Sequence, residues 1–85
     1  MSEQQIGNVT HWFGKIMVVV VEIQKGKLSV GDTVRFKGQT TDFKQTIESM
    51  QLDGQDLEKA KKGQSVGVKV SDRVRRTDSV YKITD

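Results

Sequence analysis

The sequence predicts an all-β fold, namely a small closed barrel of six antiparallel strands with Greek-key connections. Three observations support this prediction: apolar residues alternate with polar ones in several short runs, glycine-containing turns separate the runs, and the chain contains no proline. Closure is favoured over an open sheet because the apolar run at residues 16–21, if it formed an open edge, would be a template for aggregation.

The length and composition predict one domain held by apolar packing. The chain has 85 residues, of which 34% are hydrophobic, and it has no cysteine for a disulfide or a thiolate metal ligand. The net charge of +3 permits phosphate-rich partners without requiring them. No segment has the pattern of a leader or the length of a membrane span, and we expect a cytoplasmic protein that does not bind membranes.

The first part of the chain is divided by its periodicity. Residues 1–5 are polar and aperiodic, which predicts a flexible tail, and residues 6–85 form the single barrel domain. Residues 6–12 alternate loosely and are followed by a turn at residues 13–15. The β-branched run at residues 16–23 then favours a buried strand over a helix, because it is short.

The middle of the chain continues as strands. Residues 33–37 alternate cleanly, which places Val34 and Phe36 inward. Residues 40–52 are predicted to form one longer strand. Its apolar spacing changes from three to two, and a bulge near Ser49 would keep the apolar side chains on the core side.

The last part combines one predicted helical turn with two strands. Apolar residues spaced three apart at residues 57–62 indicate the helical turn, with Asp56 as its cap. The valines at every second position of residues 66–70 face one way. Residues 79–84 close the sheet.

Several residues have predicted structural roles in turns and close contacts. Gly26, Gly31 and Gly63 suit turn positions with positive φ, where a side chain would clash. Asp32 is expected to accept backbone N–H bonds in its own turn. Gly67, between two inward valines, would let another backbone pass close by.

Five motifs, in order along the chain, carry a resemblance that covers residues 6–84. The motifs are Gly-x-Val at residues 7–9, the apolar strand ending in x-x-Gly-x-Leu-x-Val-Gly-Asp-x-Val at 24–34, Ser-Met at 49–50, Ala-x-x-Gly-x-x-Val-Gly at 60–67, and Asp-x-Val-Tyr at 78–81. Together they resemble the β-barrel second domain of the translation GTPases, which include elongation factor Tu and the initiation factors. In that family the domain contacts the acceptor end of transfer RNA and ribosomal RNA, and it docks onto neighbouring protein domains.

Two departures from that family pattern limit what the resemblance implies. The chain has no Gly-x-x-x-x-Gly-Lys-Ser/Thr phosphate loop, so we expect neither GTP binding nor elongation-factor activity. Thr77 also stands where the family usually has glycine, just before the aspartate of the last strand.

Catalytic and metal chemistry find little support in the residues. His11 is the only histidine, there is no cysteine, and the carboxylates are scattered, mostly beside lysines. We therefore expect a protein that is not an enzyme and that has no metal site and no cofactor.

The leading functional prediction is a translation-associated module that contacts transfer RNA or ribosomal RNA. An aromatic ring at a predicted hairpin tip can stack on unpaired bases, and arginine can make bidentate contacts to phosphate. The alternatives are that the ring plugs one end of the barrel and that the basic loop is only solvated. The candidate residues are Trp12 and Lys15 at the tip, Arg35 and Lys37 on a strand, and Arg73, Arg75 and Arg76 in the last long loop.

The alternative function is a protein-docking module. Only half of the apolar second strand can face a core, so either Met17, Val19 and Val21 or the alternate set would face outward and could bind a partner. Covering by a loop or tail is the structural alternative. Candidate partners are a translation factor or a collagenase-like peptidase, since similar barrels occur beside such peptidases. The sequence does not indicate an oligomeric state.

Overall fold

A computed structural model describes residues 2–84, and strands are the regular elements that it contains there. The predicted all-β class is confirmed, with ten strands instead of six. Their bounds are β1 (Ser2–Phe13), β2 (Val18–Ile23), β3 (Lys27–Ser29), β4 (Thr33–Lys37), β5 (Asp42–Thr46), β6 (Met50–Leu52), β7 (Gln55–Leu57), β8 (Lys59–Lys61), β9 (Ser65–Lys69) and β10 (Ser79–Thr84).

Eight strands form one sheet in the order β5-β4-β10-β1-β2-β9-β6-β7, and β3 pairs with β8 separately. All of these pairs are antiparallel. The long strand β1 lies at the centre and pairs with β10 through its first half and with β2 through its second half. Its register shifts between Gln5 and Gly7 and again between Val9 and His11. Such irregularities bend a strand and increase its twist, which curls the sheet around the core.

The predicted closed barrel is wrong, because the hydrogen-bonded ladder is open, with β5 and β7 at its two edges. Closure was predicted to hide the apolar run, but the structure hides it differently, by placing β2 between β1 and β9. The edge strand β5 is mostly polar instead. Its Gln45 side chain donates to the Lys69 carbonyl at 2.9 Å and accepts the Ser71 N–H at 2.9 Å. A side-chain amide thus connects β5 to the end of β9 where no strand pairing exists.

The core is rich in valine, and it follows the predicted alternation. Val34 and Phe36 face inward with no exposed surface, and so do Val66 and Val68. Burying one such side chain contributes about 1.5–3 kcal/mol. The remaining core side chains are Ile6, Val9, Val19, Val21, Ile23, Leu28, Ile47, Met50, Ala60, Val70, Val74 and Val80.

Two of the predicted elements are wrong. The helical turn at residues 57–62 does not exist, because Ala60 is buried opposite Leu28 in the β3–β8 pair while both flanking lysines are exposed. That is a strand pattern. The single long strand at residues 40–52 is two strands, because Ile47 leaves the sheet to exchange backbone hydrogen bonds with Gly31 and Asp32.

The ends of the first two strands also differ from prediction. Residues 2–5 belong to β1 and pair with β10, although all four are exposed. The strand therefore begins several residues before its first buried side chain. The division into a tail and a domain stays a prediction, and Met1 and Asp85 lie outside the described residues. At the other end, β2 begins at Val18 and not at residue 16, because residues 14–17 form the turn.

Three turns share one construction, at residues 29–32, 61–64 and 75–78. In each, the fourth residue donates its N–H to the carbonyl of the first, at 3.0–3.1 Å. Its side chain accepts the N–H of the first residue, at 2.8–2.9 Å. The third residue has positive φ, as predicted for Gly31 (97°) and Gly63 (93°). Gly26, in another turn, has a φ of 66°, and the predicted role of Asp32 is confirmed.

Thr77 is the third residue of the last of these turns, and its φ is 78°. We expect Thr77→Gly to raise the free energy of unfolding by about 1 kcal/mol, because a β-branched side chain is strained there and glycine is not. Urea denaturation measures the change. Thr46→Gly, in the extended strand β5, is the control and should instead lower stability. An equal loss in both variants would show that Thr77 is not strained.

The predicted close backbone approach is at Gly7 and not at Gly67. A Cβ on Gly7 would overlap the Glu22 carbonyl oxygen of the adjacent strand β2. A Cβ on Gly67 would lie 3.5 Å from Val18 Cγ1, which is an ordinary van der Waals contact. The shift in β1 register beside Gly7 therefore leaves no room for a side chain at that position.

Candidate functional site

The hairpin tip, defined here as residues 13–17, presents apolar surface to solvent. Ile16 is 62% exposed and Phe13 is 48% exposed. The Ile16 N–H donates to the Phe13 carbonyl at 3.3 Å, which holds the turn closed. The His11 ring stacks on the Phe13 ring with centroids 6.2 Å apart and planes 6° apart. The tip therefore offers an ordered apolar surface of the kind that partners bury.

Trp12 lies on the other side of β1 from Phe13. It is half-buried and packs against the core, while Phe13 faces solvent. Neighbouring residues of a strand face opposite sides, so only one of these two rings can point inward. Because Trp12 is only partly covered, its indole contributes both to the core and to the adjoining surface.

The arginine loop, defined here as residues 72–76, is anchored against β1 at its far end. Val74 is fully buried in the core. Beyond the loop, the Thr77 N–H donates to the Val9 carbonyl at 2.9 Å, and the Val9 N–H donates to the Asp78 carbonyl at 2.8 Å. The buried Asp78 carboxylate accepts the Arg75 N–H at 2.8 Å. These contacts fix the loop beside Trp12.

Between Trp12 and the arginine loop lies a hollow of about 450 Å³, which we call the basic groove. Three of the four arginines of the chain lie along it, and all three are exposed. Within residues 2–84, the ion pairs involve Arg35 and Lys82 and none of these three arginines. Of the residues that the structure describes, those that line the groove are His11, Trp12, Arg73, Val74, Arg75 and Arg76, and none of these carries a carboxylate.

The other predicted contact residues are distributed differently. Lys37 lines a neighbouring hollow together with Arg75 and Arg76. Lys15 lies on the hairpin tip, apart from the residues that line the groove. Val19 and Val21 face the core with no exposed surface, and Met17 is half-buried, so the outward positions of β2 are Val18 and Val20. These two positions are themselves half-buried.

Arg35 is paired within the sheet. Its guanidinium lies 2.7 Å from Asp42 Oδ1 and 3.2 Å from Glu3 Oε2, which links β4 to β5 and β1. The hydrogen bonds from Arg35 hold the pKa of the Asp42 carboxyl below its usual value. The same bonds raise the pKa of Arg35. Its charge is therefore already balanced by two carboxylates.

The described part of the chain contains no group of three or more histidine, cysteine or acidic residues placed to hold a metal ion. His11 Nδ1 lies 3.3 Å from Thr10 Oγ1. The absence of catalysis stays a prediction. Within residues 2–84, no helix is long and apolar enough to cross a membrane.

Comparison with known proteins shows which proteins the sequence is similar to. No family model matches the chain. It is 38% identical over 82 residues to an uncharacterised protease of Methanocaldococcus jannaschii, a match that covers 95% of the chain and 20% of the protease. It is 33% identical over 78 residues to a collagenase of Porphyromonas gingivalis, with coverage of 91% and 22%. The chain thus spans about a fifth of the length of these relatives.

The fold is that of a U32 peptidase C-terminal domain. The C-terminal domain of a Geobacillus thermoleovorans U32 peptidase superposes with a TM-score of 0.88 at 24% identity, covering 95% of this chain and 93% of that domain. Its selenomethionine variant superposes with a TM-score of 0.82.

These comparisons overturn the resemblance to the translation GTPases and the RNA-binding function inferred from it. One of the motifs that supported it, at residues 24–34, has a local explanation. Gly31 supplies a positive φ and Asp32 accepts the Ser29 N–H, which is a turn that different β folds can use. Turn chemistry therefore predicted the local structure correctly but not the family.

Proposed function

We propose that the chain is a non-catalytic accessory domain that docks onto the catalytic part of a peptidase. The observation that carries this proposal is the match to the M. jannaschii protease, which spans 95% of this chain but only 20% of the protease. The matched part is a small β domain, and the remaining four-fifths of that protein has room for catalytic machinery. The cytoplasmic location predicted from the sequence belongs to this proposal.

The hairpin tip is the surface that we assign to docking. Phe13 and Ile16 are two of the three large apolar side chains that are exposed within residues 2–84, and they lie on the same turn. Burying their exposed surface in a partner contributes about 25 cal/mol per Å². A rigid aromatic ring already stacked on His11 loses little conformational freedom on binding, which favours it as an anchor.

We expect the double variant Phe13→Ser with Ile16→Ser to bind the peptidase at least about tenfold more weakly, because two apolar anchors are lost. The binding partner is the Geobacillus peptidase without its C-terminal domain, immobilised for biolayer interferometry. Val30→Ser is the matched control, since Val30 is 42% exposed but lies on a different turn. Unchanged affinity of the double variant would refute docking through the tip.

A further inference from the structure

The basic groove is a site that docking through the hairpin tip does not use. Arg73, Arg75 and Arg76 place three guanidinium groups beside a half-buried indole. Elsewhere in the chain, two nitrogens of the Arg35 guanidinium donate to the two carboxylate oxygens of Asp42, at 2.7 Å each. This bidentate pair is the partner arrangement that a guanidinium favours. The groove arginines have no such match within residues 2–84. Three guanidinium donors thus lie close together with no carboxylate paired to them in the described part of the chain.

The turn that follows the arginine loop holds the end of the loop in one conformation. Of the three turns built alike, two have glycine at the positive-φ position, whereas the one that follows the arginines has Thr77. Gly38 packs so closely on Asp78 that a Cβ there would overlap the carboxylate oxygen Oδ1. Strained residues persist where the surrounding structure determines them, and they cluster at binding sites.

The charge around the groove favours a short acidic ligand over a long polyanion. The adjoining hollow contains Arg73, Arg75 and the exposed Asp72, while its other carboxylate, Asp42, is already paired with Arg35. The Asp72 carboxylate therefore interrupts the positive surface on that side, whereas a nucleic-acid backbone needs a continuous positive track. A volume of about 450 Å³ accommodates a few side chains.

We propose that the basic groove binds a carboxylate-rich peptide segment that carries one large apolar side chain. The arginines pair with the carboxylates, and the apolar side chain packs on the exposed part of Trp12. The groove is lined by none of the tip residues 13–17, although His11 contacts both surfaces, and the proposal needs no peptidase partner. An acidic peptide segment would then be a second binding partner of this chain, in addition to the peptidase.

Trp12 provides the readout, because it is the only tryptophan in the chain and lies in the groove. The full chain is titrated with a synthetic peptide in which glutamates flank one phenylalanine, while tryptophan emission is recorded. We expect a saturable change in emission that weakens with added salt. The same peptide with glutamine in place of glutamate should bind at least about tenfold more weakly.

The double variant Arg75→Gln with Arg76→Gln should also weaken binding of the glutamate peptide at least about tenfold. Lys25→Gln with Lys62→Gln is the control with the same charge loss. Both lysines are exposed and lie beyond the far end of β2, roughly 20 Å along that strand from the hairpin tip. The control should bind as the unaltered chain does, and thermal unfolding verifies that both variants are folded.

Three results would overturn the assignment: no change in tryptophan emission, equal affinity for the glutamate and glutamine peptides, or displacement of the peptide by a tighter-binding single-stranded RNA oligonucleotide. Because no peptidase is present, a failure here leaves the docking proposal intact. Failure of docking likewise leaves the groove proposal intact.

Discussion

Gly7→Ala is expected to lower the free energy of unfolding by about 3 kcal/mol. The added Cβ would overlap the Glu22 carbonyl oxygen and lie 3.0 Å from its carbonyl carbon. Both atoms belong to the backbone of β2, so relief requires moving one central strand relative to another and not merely rotating a side chain. Since small domains are stable by about 5–15 kcal/mol, this loss is a large part of the total.

Gly67→Ala in β9 is the matched control for this substitution. Its Cβ would lie 3.5 Å from Val18 Cγ1 and 3.8 Å from the Gln51 carbonyl oxygen, and both are ordinary contacts. We expect a change within about 0.5 kcal/mol. Guanidinium denaturation of both variants gives the comparison, and similar losses in the two would contradict the close strand approach at Gly7.

Phe36→Ala is expected to lower the free energy of unfolding by about 4 kcal/mol. Phe36 is a fully buried side chain of β4, and its ring lies 5.3 Å from that of Phe43, tilted by 33°. Without the ring, the protein loses the free energy gained by moving that ring from water into the core. The substitution also leaves a cavity in a small core. Denaturation followed by circular dichroism measures the loss.

Phe13→Ala is the control for Phe36, because it removes the same ring from the exposed hairpin tip. We expect Phe13→Ala to change stability by less than about 0.5 kcal/mol. This control also connects stability with function, since a residue that contributes little to folding is available for a partner. A larger loss of stability in Phe13→Ala than in Phe36→Ala would contradict the assignment of Phe36 to the core.

Much of the secondary structure could be predicted because alternation reports burial directly. Val34, Phe36 and the valines of β9 face inward as the pattern indicated. Ala60 shows the limit of this approach. Its spacing from Leu57 suits one helical turn, but pairing with Leu28, far away in the sequence, makes the segment a strand. Periodicity cannot decide between the two structures over six residues.

The candidate site could be predicted in composition but not in arrangement. Trp12 and the three loop arginines were identified separately, and contacts between distant segments, such as the bonds between Val9 and residues 77–78, bring them together. Arg35 shows the opposite case, because it was predicted to contact RNA and instead pairs with Glu3, which is remote in the sequence. Local patterns do not determine contacts across strands.

The most direct test of docking is a calorimetric titration of this chain into the Geobacillus peptidase without its C-terminal domain. That domain, whose structure was solved separately, serves as the positive control when it is added as a separate chain. We predict saturable one-to-one binding by both chains, with this chain competing against the control domain. Binding by the control domain with none by this chain, even in excess, would contradict the assignment as a peptidase-docking domain.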